Sequence, residues 1–217
     1  MTVALVLFDL DGTLVDSLHD LTDAVNHMLK GFDRQQLTPE QVRQLVGKGA
    51  GNLVQRALAT DSCEDIGRGL AMFTEYNAIH IVDKSRLYPG ARELLQQLAA
   101  AGIRMAVITN KNEALSRLIL KALDINSFFE TIAGGDSYSE MKPSPLPLLR
   151  VIGEQGINPA ESVMVGDSIN DIQAGRRAGI TTIGCGWGYG EQQEIADADF
   201  SAASCDELAG ILRGLCL

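Results

Sequence analysis

Apolar residues along the chain fall into short unbroken runs, each followed by a stretch in which they recur every three or four positions. Val3 to Leu10, Arg104 to Thr109 and Ser162 to Val165 are bounded by turn residues and read as buried strands. Thr181 to Gly184 is a fourth candidate and Thr131 to Ala133 a weaker one. Strands apolar on both faces are covered on both faces, which is the arrangement of a parallel sheet between helices. Helical periodicity appears at Gly90 to Ala101, Glu113 to Leu123, Leu146 to Gln155 and Asp171 to Ala178, and Gly102, Gly156 and Gly179 stand where such helices close. The pattern predicts a doubly wound α/β domain.

Ser17 to Leu87 breaks this rhythm, with helical patterns and no convincing strand. Leu18, Leu21, Val25, Met28 and Leu29 mark one apolar face. Thr38-Pro39-Glu40-Gln41 is a helix start in which Thr38 caps, Pro39 takes the first turn and Gln41 reaches back to the cap amide. Gly47-Lys48-Gly49 and a helix over Asn52 to Ala59 follow. Residues 17–87 are therefore expected to be a helical cap inserted after the first strand, with 1–16 and 88–217 forming the α/β core.

With 46% hydrophobic and 21% charged residues in 217, the chain has material for a real core and is not predominantly disordered. Its net charge of −10 leaves little for the basic face that a nucleic-acid binder needs. The opening apolar run has no basic segment before it and passes into Asp9 and Asp11, so it reads as a strand rather than a secretory signal. No run approaches the ~20 residues that cross a bilayer. Cys63, Cys185, Cys205 and Cys216 lack metal or redox spacing and suit free thiols in a reducing cytoplasm. A cytoplasmic monomer or homodimer handling small anions is the expectation.

Open α/β sheets bind ligands at the carboxyl ends of their strands. There the chain places Asp9-Leu10-Asp11-Gly12-Thr13, Thr109-Asn110-Lys111, Lys142-Pro143 and Gly166-Asp167-Ser168-Ile169-Asn170-Asp171. Residues i and i+2 of an extended chain share a face, so Asp9 and Asp11 both look into one site. Close carboxylates repel unless a cation lies between them, and with Asp167 they offer the oxygen donors that suit Mg²⁺. A carboxylate in such a site can attack phosphorus, Lys142 and Thr109 can neutralise the phosphoryl oxygens, and Asp11 can exchange a proton with the leaving oxygen and then with water. Singly, each residue has an ordinary explanation: a strand-end Asp as a turn residue, Lys142 as a solvated lysine, Asp171 as a helix cap. Those explanations hold best for Asp171, Lys111 and Lys48. The joint pattern at four strand ends does not reduce to them.

Asp9 to Ser17 resembles the first motif of the haloacid-dehalogenase superfamily, and Thr109-Asn110, Lys142-Pro143 and Gly166-Asp167-Ser168-x-x-Asp171 resemble its second, third and fourth. The resemblance implies a Rossmann-like core with a mobile cap. It also implies Asp9 as the nucleophile that forms an aspartyl-phosphate and Asp11 as general acid and base. Mg²⁺ would be held by Asp9, Asp167 and the backbone carbonyl of Asp11, and phosphate by Thr109, Asn110 and Lys142. Asp11 favours phosphoryl transfer over dehalogenation and does not suit the phosphonate hydrolases. Leu21 stands where the sugar phosphomutases often carry His. Lys142 to Leu149, Val46 to Ala50 and Trp187-Gly188-Tyr189-Gly190 are similar to the phosphoglycolate phosphatases, which often have Pro where His19 and Asn112 stand here. The implied reaction is Mg²⁺-dependent hydrolysis of a small phosphomonoester, with 2-phosphoglycolate the first candidate and Lys48 able to meet its carboxylate. Another metabolite, a sugar-phosphate mutase, or a receiver-type phosphoacceptor module are the alternatives.

Overall fold

The computed structural model describes residues 2–216. Six parallel strands form its central sheet in the order β5-β4-β1-β6-β7-β8: β1 (Leu5–Phe8), β4 (Arg104–Ile108), β5 (Thr131–Ala133), β6 (Ser162–Gly166), β7 (Thr181–Cys185) and β8 (Phe200–Ala202). Strand β1 lies at the centre, with Leu5 opposite Arg104 on one side and Ser162 on the other. Its side chains alternate. Val6 and Phe8 enter one cluster with Leu94, Leu95, Ile119 and Leu212, whereas Leu5 and Leu7 enter another with Leu148, Val151 and Ala174. Helices α5 (Ala91–Ala100), α6 (Glu113–Ala122) and α9 (Cys205–Cys216) cover the first face, and α7 (Leu146–Glu154) and α8 (Ile169–Ala178) the second. The chain thus has the doubly wound parallel architecture expected from its apolar runs.

Between β1 and α5 lie α1 (Leu18–Gly31), α2 (Pro39–Arg43), α3 (Gly49–Leu58) and α4 (Cys63–Ile79), which share an apolar cluster of their own around Leu21, Val25, Met28, Val54 and Phe73. The Thr38 capping box forms as expected: Gln41 N donates to Thr38 Oγ1 at 3.3 Å and Thr38 N to Gln41 Oε1 at 2.9 Å. A two-residue ribbon pairs β2 (Val15–Asp16) with β3 (Arg86–Leu87) where the chain leaves and re-enters the sheet-forming part.

The structure corrects two expectations. The run Val3 to Leu10 is regular strand only over Leu5–Phe8, because the Leu10 carbonyl accepts from the amides of Thr13, Leu14 and Val15 at 3.0–3.3 Å and turns the chain sharply. The segment read as strand-free contains β3, too short for any periodicity to register. Four further elements, β2, α4, β8 and α9, lie outside the sequence expectations. Gly67 and Gly69 interrupt the helical pattern of α4, and Gly69 is needed: a Cβ there would sit 2.9–3.1 Å from Val54, Leu58 and Met28. Cys63, Cys185 and Cys205 are free thiols, and the side chain of Cys216 lies outside the described residues. Among the described residues no helix is long and apolar enough to cross a membrane.

Candidate active site

The carboxyl ends of β1, β4 and β6 bring the polar residues together. Asp9 follows β1, and its amide still donates to the Val165 carbonyl at 2.9 Å, which fixes its backbone against β6. Thr109 and Asn110 follow β4, Asp167 follows β6, and Asp171 is the third residue of α8. Lys142, on the loop before α7, reaches under the sheet edge. Its ammonium donates to the Ile108 carbonyl at 2.5 Å and to Asp171 Oδ1 at 2.6 Å, and lies 2.9 Å from Asp9 Oδ1. Burial works against the charge of Lys142, but Asp171 and Asp9 outweigh it and hold the ammonium pKa above its ordinary value.

Asp171 serves twice. Its Oδ2 accepts from the amide (3.0 Å) and hydroxyl (2.8 Å) of Ser168, completing a capping box at the start of α8, while Oδ1 receives Lys142. The helix-cap role considered from the sequence is real, yet the residue is wholly buried and part of the charged cluster. Asp167 is held by the Thr13 hydroxyl (2.9 Å) on Oδ1 and by the amides of Tyr189 (2.7 Å) and Gly190 (3.3 Å) on Oδ2. A Cβ on Gly188 would collide with the Asp167 side chain, so the Trp187-Gly188-Tyr189-Gly190 segment owes its close approach to that glycine. Burial raises the Asp9 pKa to about 7; Lys142 pulls it down, while Asp171 and Asp167 add to the rise. Asp167 is raised to about 6, again by burial and then by Asp171, against its three donors.

The Asp11 carboxylate accepts from Ser17 Oγ at 2.5 Å, and Lys111 Nζ lies 3.2 and 3.4 Å from its two oxygens. Lys111, for which a solvated-lysine explanation was open, is nearly buried. The three carboxylates whose oxygens lie within 4.8 Å of one another are Asp9, Asp167 and Asp171, and the Asp11 side chain is not among them. Asp9 Oδ1 is buried, and the Lys142 ammonium at 2.9 Å is its near neighbour. Around this point four carboxylates face two ammonium groups, an imbalance that one divalent cation would cancel. An all-oxygen donor set of this kind fits a hard ion such as Mg²⁺.

Thr109 is buried, and its hydroxyl accepts from the Lys111 amide at 3.2 Å. Asn110 Nδ2 donates to the carbonyls of Gly47 and Lys142, both at 2.9 Å, and Asn170 Nδ2 donates to the same Gly47 carbonyl at 3.2 Å. Two asparagines at the sheet edge therefore hold the loop before α3 over the site. On the opposite flank, Arg43 at the end of α2 donates to the carbonyls of Tyr189 (2.8 Å) and Gly188 (3.0 Å).

Two cavities meet at Asp9 and Asp11. The inner, about 60 Å³, runs between Thr109, Asn110 and Lys111 and an upper wall of Leu21, Leu53, Phe73 and Asn77. The outer, about 570 Å³, opens past Arg43, Lys48, Arg56 and Glu194. Lys48 is exposed and lines only the outer one, although its neighbours Gly47 and Gly49 line the inner. Thr13 and Ser17 lie within the first motif, which is their signal in the sequence. Asn170 lies inside the fourth strand-end motif without being singled out by it, and Asn77 has no signal, because nothing in its neighbourhood marks it as facing a site.

A family profile described as haloacid dehalogenase-like hydrolase matches residues 6–185. The chain belongs to the haloacid dehalogenase-like hydrolases. A phosphoglycolate phosphatase from Chromobacterium violaceum is 38% identical over 213 residues, covering 96% of each chain. Phosphoglycolate phosphatase 1 of Pseudomonas aeruginosa is 42% identical over 201 residues, covering 89% of this chain and 73% of its own. The crystal structure of a predicted phosphoglycolate phosphatase from Haemophilus somnus superposes with a TM-score of 0.93 at 34% identity, covering 97% of this chain and 98% of that one. CbbY from Rhodobacter sphaeroides, solved in complex with phosphate, gives a TM-score of 0.85 at 27% identity, covering 95% of this chain and 96% of its own. With relatives so named along nearly its whole length, this haloacid dehalogenase-like hydrolase is a phosphatase.

Proposed function

We propose that this phosphatase hydrolyses 2-phosphoglycolate to glycolate and inorganic phosphate through an aspartyl-phosphate on Asp9, with Mg²⁺ as cofactor. The observation that carries this reading is the buried Asp9 carboxylate at the end of β1, 2.9 Å from the Lys142 ammonium, with Asp167 and Asp171 close by. An Asp9 carboxylate oxygen attacks phosphorus and the bond from phosphorus to the leaving oxygen breaks. Asp11, protonated for this step, gives its proton to that oxygen, and glycolate departs. Water then attacks the phosphorus of the aspartyl-phosphate while Asp11 accepts its proton. The bond to Asp9 breaks, and phosphate and the free carboxylate are restored.

Lys142, the Thr109 hydroxyl and Asn110 hold the phosphoryl oxygens in this scheme. Asp9, Asp167 and the Asp11 carbonyl hold the ion, with Asp171 beside them. Bound there, Mg²⁺ would neutralise the carboxylate cluster and withdraw charge from the phosphoryl group. Residues 17–87 act as the cap over a core of 1–16 and 88–217, and the β2–β3 ribbon is where the chain crosses between them. Leu21, an apolar wall of the inner cavity, offers no proton-transfer group there and so supports transfer to water over a mutase reaction. The receiver-type alternative accounts for neither the cap helices nor the family. Free thiols at Cys63, Cys185 and Cys205 support a reducing cytoplasmic setting.

The test is phosphate release from 2-phosphoglycolate with and without Mg²⁺, alongside Asp9→Asn. Release that depends on the ion and disappears in the variant is expected. Wild-type turnover by Asp9→Asn would remove the nucleophile assignment.

A further inference from the structure

Ser17 stands at the amino-terminal cap of α1, where a hydroxyl ordinarily accepts from an amide of the first helical turn. Thr38, Ser62 and Asn112 do so at the starts of α2, α4 and α6. The Ser17 side chain makes no such bond. It is buried and donates backwards, to Asp11 Oδ1 at 2.5 Å, which leaves Asp11 Oδ2 with the Lys111 ammonium at 3.2 Å. The Ser17 amide in turn donates to the Tyr189 hydroxyl at 2.6 Å, and that hydroxyl donates to Asp16 Oδ1 at 3.0 Å. Trp187 Nε1 adds a bond to the Thr13 carbonyl at 3.1 Å. The segment whose amides hold Asp167 therefore also grips the turn after Asp11, at Thr13, Asp16 and Ser17.

We infer that Tyr189 and Ser17 are positioning residues for Asp11: the Tyr189 hydroxyl fixes the Ser17 main chain, and the Ser17 hydroxyl fixes which Asp11 oxygen serves the leaving group. This rests on the reading of Asp11 as proton donor and deepens it. Proton transfer to a departing oxygen needs heavy atoms about 2.6–3.2 Å apart, so a carboxyl group free to rotate is often out of reach. The two partners of Asp11 restrict that rotation differently. Lys111 lies 3.4 and 3.2 Å from Oδ1 and Oδ2 and barely distinguishes them, whereas Ser17 bonds to Oδ1 only. With Oδ1 taken, Oδ2 gives its proton to the leaving oxygen as the bond to phosphorus breaks, and takes one from water in the second step. The helix start gives up its cap bond for this contact. Tyr189 thereby serves two acids at once, Asp167 through its amide and Asp11 through its hydroxyl and Ser17.

The experiment compares kcat/KM for 2-phosphoglycolate, whose alkoxide needs a proton to leave, with that for p-nitrophenyl phosphate, whose aryloxide leaves without one. Both values report the steps up to departure of the leaving group, so the shared hydrolysis of the aspartyl-phosphate does not mask a difference. Ser17→Ala, Ser17→Thr, Tyr189→Phe and Asp11→Asn are assayed beside the wild type, with thermal melts to verify folding. Ser17→Ala should lose about 10- to 30-fold on the alkyl ester and less than about threefold on the aryl ester, and Tyr189→Phe about three- to tenfold with the same selectivity. Ser17→Thr keeps the hydroxyl and should stay within about threefold of the wild type on both. Because Tyr189 acts through Ser17, the double variant Ser17→Ala with Tyr189→Phe should be no worse than Ser17→Ala. A readout that needs no turnover is hydrogen exchange at the Ser17 amide, which should quicken in Tyr189→Phe with the loss of its acceptor. Absent or equal losses on the two esters in the folded variants, a Ser17→Thr as poor as Ser17→Ala, or losses that multiply in the double variant overturn the positioning role. If Ser17→Ala does not fold, the selectivity of Tyr189→Phe decides. An Asp11→Asn that slows both esters alike overturns the proton-donor reading itself, a different outcome from failure of the Ser17 and Tyr189 variants while Asp11→Asn discriminates.

Discussion

Lys142 is the residue on which the charged cluster balances. It is nearly fully buried and meets Asp9 and Asp171 at once, so Lys142→Met would strand two carboxylates in a dry site. Removing one partner of a buried ion pair typically costs about 3–5 kcal/mol, a fall in Tm on the order of 10 °C for a chain of this size. Phosphate release should drop by about 10²–10³-fold, since the charge on the phosphoryl oxygens loses its fixed counter-charge. Thermal melts and steady-state kinetics on one preparation measure both effects. The carboxylates make a second prediction. Asp9 is raised from 3.8 to about 7 and Asp167 to about 6 in the metal-free protein, so the folded chain binds protons that the unfolded chain has released. Their favourable contribution is fully present below pH 3.8 and is lost as pH rises through 6 to 7. A divalent ion competes with those protons and replaces them. The Tm increase on adding Mg²⁺ should therefore be small at pH 5 and large at pH 8, and equal shifts at the two values would contradict the assignment of the cluster as the ion site.

At the level of elements, the Trp187–Gly190 segment joins three parts of the molecule. Its amides hold Asp167, its carbonyls receive Arg43 from α2, and the Tyr189 hydroxyl donates to Asp16 Oδ1 at 3.0 Å while accepting from the Ser17 amide at 2.6 Å. Arg43→Ala removes two hydrogen bonds across the cleft without touching any group that meets phosphate. Because Arg43 is exposed, the loss should be about three- to tenfold in kcat/KM, with faster hydrogen exchange at 187–190 as the structural readout. This segment also shows where sequence reading stops. The strand-end motifs were legible because an apolar run ending in Asp, Thr or Asp states both the strand and the edge it points to, and Asp9, Thr109 and Asp167 lie at that edge. Residues Gly188 and Tyr189 work through main-chain geometry, which no periodicity encodes. Asn77 sits in α4, whose pattern two glycines obscure, and it faces the site only because α4 packs across α1 and α3. Asp171 and Lys111 were legible as residue types but not as buried ones, since an acid at the third position of a helix is ordinarily a surface cap.

The whole molecule carries a net charge of −10, and the proposed substrate is an anion. At the site itself a bound Mg²⁺ would cancel the excess of carboxylates over Lys142 and Lys111. Screening separates the two ranges: at 0.15 M ionic strength the Debye length is about 8 Å, and at 0.01 M about 30 Å. Contacts inside the cavities, under 4 Å and mostly shielded from solvent, change little between these conditions, whereas repulsion between the approaching anion and the acidic surface is felt only at low salt. Raising ionic strength from about 0.01 to 0.15 M with saturating Mg²⁺ should then increase kcat/KM for 2-phosphoglycolate by a few-fold through faster association and leave kcat nearly unchanged. The outer cavity gives the effect a location. Arg43, Lys48 and Arg56 line it together with Glu40, Glu191 and Glu194, a mixed lining that cannot by itself draw an anion inward. Glu191→Gln with Glu194→Gln should shift the rim toward the basic side, raise kcat/KM at low salt and flatten its salt dependence. A kcat/KM that falls steeply with salt in the wild type would instead mean that the local basic residues dominate the approach, and that the overall acidity of the chain is irrelevant to substrate capture.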